Sequence, residues 1–136
     1  MVGIDLGSRR IGVAVSDATG TLASPHTTVD RSGDVAADHL RLAAIVADVG
    51  AGRVVVGMPL SLDGRAGAAA QAAAAEADAL AAVVGVPVET YDERLTTVSA
   101  QRALRAGGTG ARKQRGVIDK AAAAVLLQAW LDGRSR

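Results

Sequence analysis

Alternation opens the chain. Ile11, Val13 and Val15 alternate with Gly12, Ala14 and Ser16, the period of a half-buried strand, which predicts a strand over residues 11–17. A short strand over residues 2–6 precedes it, and Gly7, Ser8, Arg9 and Arg10 read as the turn between them. A third strand is expected after Gly20, from Thr21 towards His26. The period then changes. Leu42, Ile45, Val46 and Val49 recur at i, i+3, i+4 and i+7, one buried face of a helix that begins near Ser32 as N-cap and ends at Gly50 and Gly52. Residues 53–57 form a Val-rich strand, and 58–67 a loop with Pro59 and Gly64. Residues 68–84 carry Ala73, Ala77, Leu80 and Val84 on one helical stripe, stopped by Gly85. A fifth strand spans 86–91. A third helix, capped by Thr96 or Thr97, runs to about Ala106. A basic, glycine-rich loop covers 107–116, and a last helix 117–132.

The order is β-β-β-α-β-α-β-α-α. Three antiparallel strands followed by alternating helices and strands imply an α/β fold: a five-stranded mixed sheet flanked by helices. At 136 residues the chain suits one domain, residues 1–136. Almost half of it is hydrophobic, yet it has no Phe, one Tyr and one Trp, so the core must be built from Ala, Val, Leu and Ile. Such small side chains predict helices lying close against the sheet. There is no cysteine, which excludes disulfides and thiolate metal sites. The alanine run of 66–82 is interrupted by Gln71, Glu76 and Asp78 and is not expected to span a membrane. No signal-like segment precedes the first strand, so a cytoplasmic protein is expected.

Ligands of open α/β sheets bind beyond the carboxyl ends of parallel strands, so the polar residues there are the candidates. Asp5 ends the first strand and shares a face with Gly3 and Gly7, small neighbours that should leave room beside it. A lone Asp before Gly7 could equally serve as a turn former. Asp92 and Glu93 follow the fifth strand; either could cap the next helix, but Thr96 and Thr97 are available for that and leave the acids for other work. Asp119 heads the stripe of Ala122, Ala123, Leu126, Leu127 and Trp130, so it starts an inward face, where a residue serving only the helix dipole need not stand. Converging carboxylates repel one another, and a hard divalent cation, Mg²⁺ or Mn²⁺, relieves this through oxygen ligation. Two such ions roughly 3.5–4 Å apart would suit water attack on a phosphodiester.

The net charge of +1 decides nothing, but the placement of the basic residues does. Arg9 and Arg10 flank Asp5, and Arg94 adjoins Glu93. Arg102 and Arg105 share a helix face, and Arg112, Lys113 and Arg115 precede Asp119. Singly, each is an ordinary surface charge. Around three acids they form a phosphate-backbone track. No zinc motif, Walker loop or dinucleotide fingerprint is present, and His26 and His39 stand isolated, as structural histidines commonly do. With so few aromatics, readout by base stacking is disfavoured.

The stretch Ile4-Asp5-Leu6-Gly7 through Arg10-Ile11-Gly12-Val13-Ala14-Val15-Ser16-Asp17 resembles the opening motif of the YqgF/RuvX family. These are bacterial proteins resembling Holliday-junction resolvases, also described as candidate pre-16S rRNA nucleases. Val56-Gly57-Met58-Pro59-Leu60 with Asp63-Gly64 resembles the second block, Asp92-Glu93-Arg94-Leu95-Thr96-Thr97 the third, and Asp119-Lys120-Ala121-Ala122-Ala123 the last. The four occur in order over essentially the whole chain, and Ser61 departs from a frequent Asn. The resemblance implies a ribonuclease-H-like fold and a metal-dependent nuclease with catalytic, metal-holding acids at Asp5, Glu93 and Asp119. The leading expectation is processing of the 5′ end of pre-16S rRNA in ribosome biogenesis. Resolution of branched DNA by a homodimer, or noncatalytic nucleic-acid binding in transcription, are the alternatives; a monomer would suit the RNA reading. Asp5-Leu6-Gly7-Ser8 also resembles the first phosphate loop of actin–hexokinase proteins, but those duplicate the fold and this chain is too short for two copies.

Overall fold

The computed structural model describes residues 1–59, 67–96 and 112–134; the side chains of 112–119 lie outside the described part. The expected third helix (96 or 97 to 106), with Arg102 and Arg105, and most of the 58–67 loop, with Ser61 and the Asp63-Gly64 pair, also lie outside it.

Five strands form one sheet, β1 (Val2–Leu6), β2 (Arg10–Ser16), β3 (Ala23–Asp30), β4 (Val54–Met58) and β5 (Val88–Asp92), in the order β3-β2-β1-β4-β5. β1 and β2 pair antiparallel, as do β2 and β3, whereas β4 and β5 add in parallel beyond β1. This is the mixed five-stranded sheet the pattern predicts. β1 is central because both of its faces are buried.

The alternation along each strand sorts its side chains between two helical layers. Val2, Ile4, Ile11, Val13, Val54 and Val56 face α1 (Val35–Asp48) and α2 (Ala68–Val84), packing with Leu42, Val46, Ala77 and Leu80. Ala14 and Val55 face the C-terminal helix α3 (Arg112–Arg134), packing with Ala123, Leu127 and Leu131. The close approach expected of a small-residue core occurs here. A Cβ at Gly3 would stand 2.7 Å from Leu127 Cβ and 3.0 Å from the Ala123 carbonyl oxygen, so glycine lets α3 lie against β1. Arg134 reaches Met1, so α3 runs opposite to β1 and its early turns lie towards the end of β1.

Several expected boundaries shift for physical reasons. β3 extends to Asp30, because pairing with β2 continues through the half-buried Thr27 and Thr28 to the buried Val29, a stretch whose single apolar residue carries no alternation signal. α1 is capped by Asp34, whose side chain accepts from the Ala37 amide, and not by Ser32. Gly33, at φ 89°, turns the chain between the two, and Ser32 instead donates through its amide and hydroxyl to the buried Asp38. α2 spans the expected residues and ends at Gly85, φ 73°. α3 starts five residues earlier than expected, so Arg112, Lys113 and Arg115 lie on its first turns and not in a loop.

Candidate active site

Asp5 lies in β1 opposite Gly12 of β2. It is two residues beyond Gly3, on the face that α3 covers, and is 1% exposed. On the other side, the pairing of Ile4 with Val56 puts Gly57 of β4 next in line beside Asp5. Asp5 is thus flanked across the strands by glycines, Gly12 on one side and Gly57 next in line on the other. Of the neighbours credited with room beside it, Gly3 is occupied by Leu127 and Gly7 belongs to the turn, where a Cβ would stand 2.4 Å from the Arg10 carbonyl oxygen.

Glu93 enters the same space from the end of β5. Asp92 caps a single 3-10 turn, Glu93–Leu95, by accepting from the Arg94 amide, and the Thr96 hydroxyl donates to the Glu93 carbonyl to close it. Asp92 is thus the cap of this turn; the helix that Thr96 or Thr97 is expected to cap lies outside the described residues. The turn sends Glu93 inward to 2% exposure. Its carboxylate lies over Gly57: a Cβ there would be 2.6 Å from Glu93 Oε1 and 3.2 Å from both Glu93 Cγ and Leu126 Cδ2. Glycine at 57 is what makes the cradle.

The sheet thus brings Asp5 and Glu93 to one buried edge, at the carboxyl ends of the parallel strands. Position 119 lies on α3 one turn before Ala123, on the stripe that faces this edge; its side chain lies outside the described residues. Among the described residues no three His, Cys, Asp or Glu groups lie together. Asp5 and Glu93 nevertheless offer buried carboxylate oxygens alone, donor chemistry that fits a hard divalent cation and suits softer metals poorly.

A protein-family model described as RuvX, Holliday junction resolvase, matches residues 1–133. The chain belongs to the RuvX family. It is therefore a member of a phosphodiester-hydrolysing enzyme family. A relative from Leifsonia xyli subsp. xyli is 53% identical over 131 residues, covering 96% of this chain and 84% of its own. One from Mycolicibacterium paratuberculosis is 55% identical over 137 aligned positions, covering 98% and 80%. Each is named as a candidate pre-16S rRNA nuclease. Among solved structures, Thermus thermophilus RuvC matches at 20% identity with a TM-score of 0.56, covering 98% of this chain and 95% of that one. The same protein in complex with a Holliday junction substrate matches at 20% and 0.60, covering 98% and 94%. This likeness shows the ribonuclease-H-like fold.

In this RuvX-family chain the basic residues divide. Arg9 is exposed in the turn after Asp5, and Arg10 lies 3.6 Å from Asp30. The Arg94 guanidinium grips the Asp92 carboxylate with contacts down to 2.6 Å, which holds the Asp92 carboxyl below the usual aspartate range. Arg112, Lys113 and Arg115 have helical backbones and side chains outside the described part. Two features escape the sequence reading. Gly57 reads there as the end of a Val-rich strand, and only the placement of Glu93 gives it a task. A polar cluster of Arg31, His39 and Glu76 lies on the other side of the sheet; its one trace is Glu76, charged beside the alanine stripe of α2.

Proposed function

We propose that the chain is a divalent-metal-dependent nuclease of one ribonuclease-H-like domain that trims the 5′ end of pre-16S rRNA in the cytoplasm. The observation that carries the reading is the pair of buried carboxylates, Asp5 and Glu93, near the carboxyl ends of the parallel strands, with Glu93 packed over Gly57. Asp119, on the facing stripe of α3, completes the acidic set. The names of the relatives from L. xyli and M. paratuberculosis support the RNA substrate. No helix among the described residues is long and apolar enough to cross a membrane.

Asp5, Glu93 and Asp119 would hold Mg²⁺ or Mn²⁺, which when bound supplies Lewis-acid activation of water and phosphodiester. The chain's own contribution is placement. Asp5 is fixed in a central strand, paired with Gly12 and following Ile4, which pairs with both β2 and β4, and Glu93 is fixed by its capped turn and the Gly57 notch. Both carboxylates are thus set before substrate arrives, so little ordering remains to be done at the reaction. Arg9, Arg10, Arg94, Arg112, Lys113 and Arg115 would contact the phosphate backbone, with Arg94 oriented by Asp92.

The family description favours a second substrate, branched DNA. Junction resolution needs paired cuts and so a homodimer, whereas RNA trimming is compatible with a monomer. Labelled RNA carrying the 16S precursor 5′ region and a Holliday junction are incubated with the protein in Mn²⁺, Mg²⁺ or EDTA, with Asp5→Asn in parallel. Metal-dependent cleavage of the RNA, lowered in Asp5→Asn by roughly 100-fold or more, is expected. Cleavage of the junction alone would transfer the reading to branched DNA. Salt-sensitive binding with no cleavage of either would replace it with a noncatalytic binding protein.

A further inference from the structure

Behind the site, on the α1 and α2 side of the sheet, three polar side chains form a chain of contacts. Glu76 of α2 accepts from Arg31 Nη1 and Nη2 at 2.7 and 2.9 Å. His39 of α1, buried, meets the same carboxylate through Nε2 at 2.8 Å. The remaining edge of the Arg31 fork points elsewhere: Nε donates to the Gly7 carbonyl oxygen at 2.8 Å. The Arg31 backbone amide donates to the Arg9 carbonyl oxygen at 2.9 Å. One residue therefore holds both ends of the turn that follows Asp5. Gly7 in turn donates its amide to the Asp5 carbonyl oxygen at 3.1 Å.

We infer that Arg31, gripped by Glu76 and His39, is a positioning residue that fixes the Asp5 turn and the Arg9–Arg10 pair for catalysis; this rests on the nuclease reading proposed above. Buried ion pairs are often no more stabilising than apolar residues of like volume, so stability alone accounts poorly for a carboxylate beside the alanine stripe of α2. A fork locked on two sides, with its third edge on a backbone carbonyl, supplies direction that an apolar contact lacks. Asp38 secures the neighbouring Ser32 to α1, so the segment bearing Arg31 is itself anchored. The turn that follows Asp5 is thus referenced to two helices on the opposite face of the sheet from α3.

Arg31→Lys keeps the charge but cannot hold Glu76 with two donors and Gly7 with a third from one rigid plane. Glu76→Gln keeps the shape and loosens the fork. Both variants are compared with wild type by amide hydrogen exchange, by thermal melting and by steady-state cleavage of the precursor RNA and the junction. In Arg31→Lys, the Gly7 amide is expected to exchange faster while α1 and α2 keep their protection. kcat is expected to fall roughly 10-fold to 100-fold, the scale of a misplaced catalytic group, with KM within about threefold. Glu76→Gln should give a smaller change in the same direction. Unchanged Gly7 exchange or unchanged kcat in both variants overturns the inference. So does a kcat loss matched by faster exchange throughout the molecule. Should wild type cleave neither nucleic acid, the nuclease reading fails and positioning for catalysis falls with it. Faster Gly7 exchange in Arg31→Lys would then establish only that Arg31 holds the turn.

Discussion

At Gly57 the absent Cβ is what lets the Glu93 carboxylate lie over β4. A methyl group there would stand 2.6 Å from Glu93 Oε1 and 3.2 Å from Leu126, with β4 buried on both sides and no free direction for relief. Either the glutamate withdraws or α3 lifts. Gly57→Ala is therefore expected to cost about 1–3 kcal/mol of stability, the range of an overpacked core. It should also lower cleavage by roughly 10-fold or more by displacing Glu93. Thermal melting and single-turnover cleavage of the same preparation read the two effects. Wild-type cleavage in Gly57→Ala would remove Glu93 from the site. The carboxylates themselves were legible in the sequence as acids after strands. The notch was not, because it depends on which residues of three different strands stand side by side.

The elements show the same division between local and cross-chain information. β1, β2, β4 and α2 are driven by hydrophobic period, and the period is written in the chain. β3 is an edge strand with one buried residue, Val29, and its length follows from pairing with β2, which no local pattern records. The start of α1 is a sharper case. Ser32 has the right chemistry for a cap, but Gly33 turns the chain and Asp34 takes the role, leaving Ser32 to satisfy the buried Asp38 carboxylate with its hydroxyl at 2.8 Å. Losing a cap costs about 1 kcal/mol. Removing one donor from a buried charged group costs roughly 1–3 kcal/mol. Ser32→Ala is thus expected to destabilise the protein at least as much as Asp34→Ala, although only Asp34 is the cap. Urea titrations of the two variants decide the order, and a negligible effect at Ser32 would show that the Ser32 amide alone suffices for Asp38.

Over the whole molecule, the sheet separates two kinds of acid. Asp5 and Glu93 lie on the α3 side, in the proposed active site. Glu76 and Asp38 lie on the other side, where they tie the helices to the turns. Burial on its own would push the Glu76 carboxyl up, but the hydrogen bonds from Arg31 and His39 outweigh it and hold the group below the usual glutamate range. The Ser32 hydroxyl does the same for Asp38, and the Thr21 amide, with Thr19 and Leu22, for Asp17. A carboxyl that is more acidic in the folded chain binds fewer protons there than in the unfolded chain. Its contribution is therefore fully present above the unfolded values, about 3.9 for Asp and 4.3 for Glu, and disappears as the pH falls through the folded ones. Stability is expected to be level near neutrality with respect to these groups and to fall progressively on acidification below about pH 5. Glu76→Gln removes one titrating group from the set, so its stability should be lower at neutral pH and decline less steeply in acid. Urea midpoints measured from pH 7 down to pH 3 test this, and parallel curves for the two proteins would mean that Arg31 and His39 do not stabilise the Glu76 carboxylate in solution.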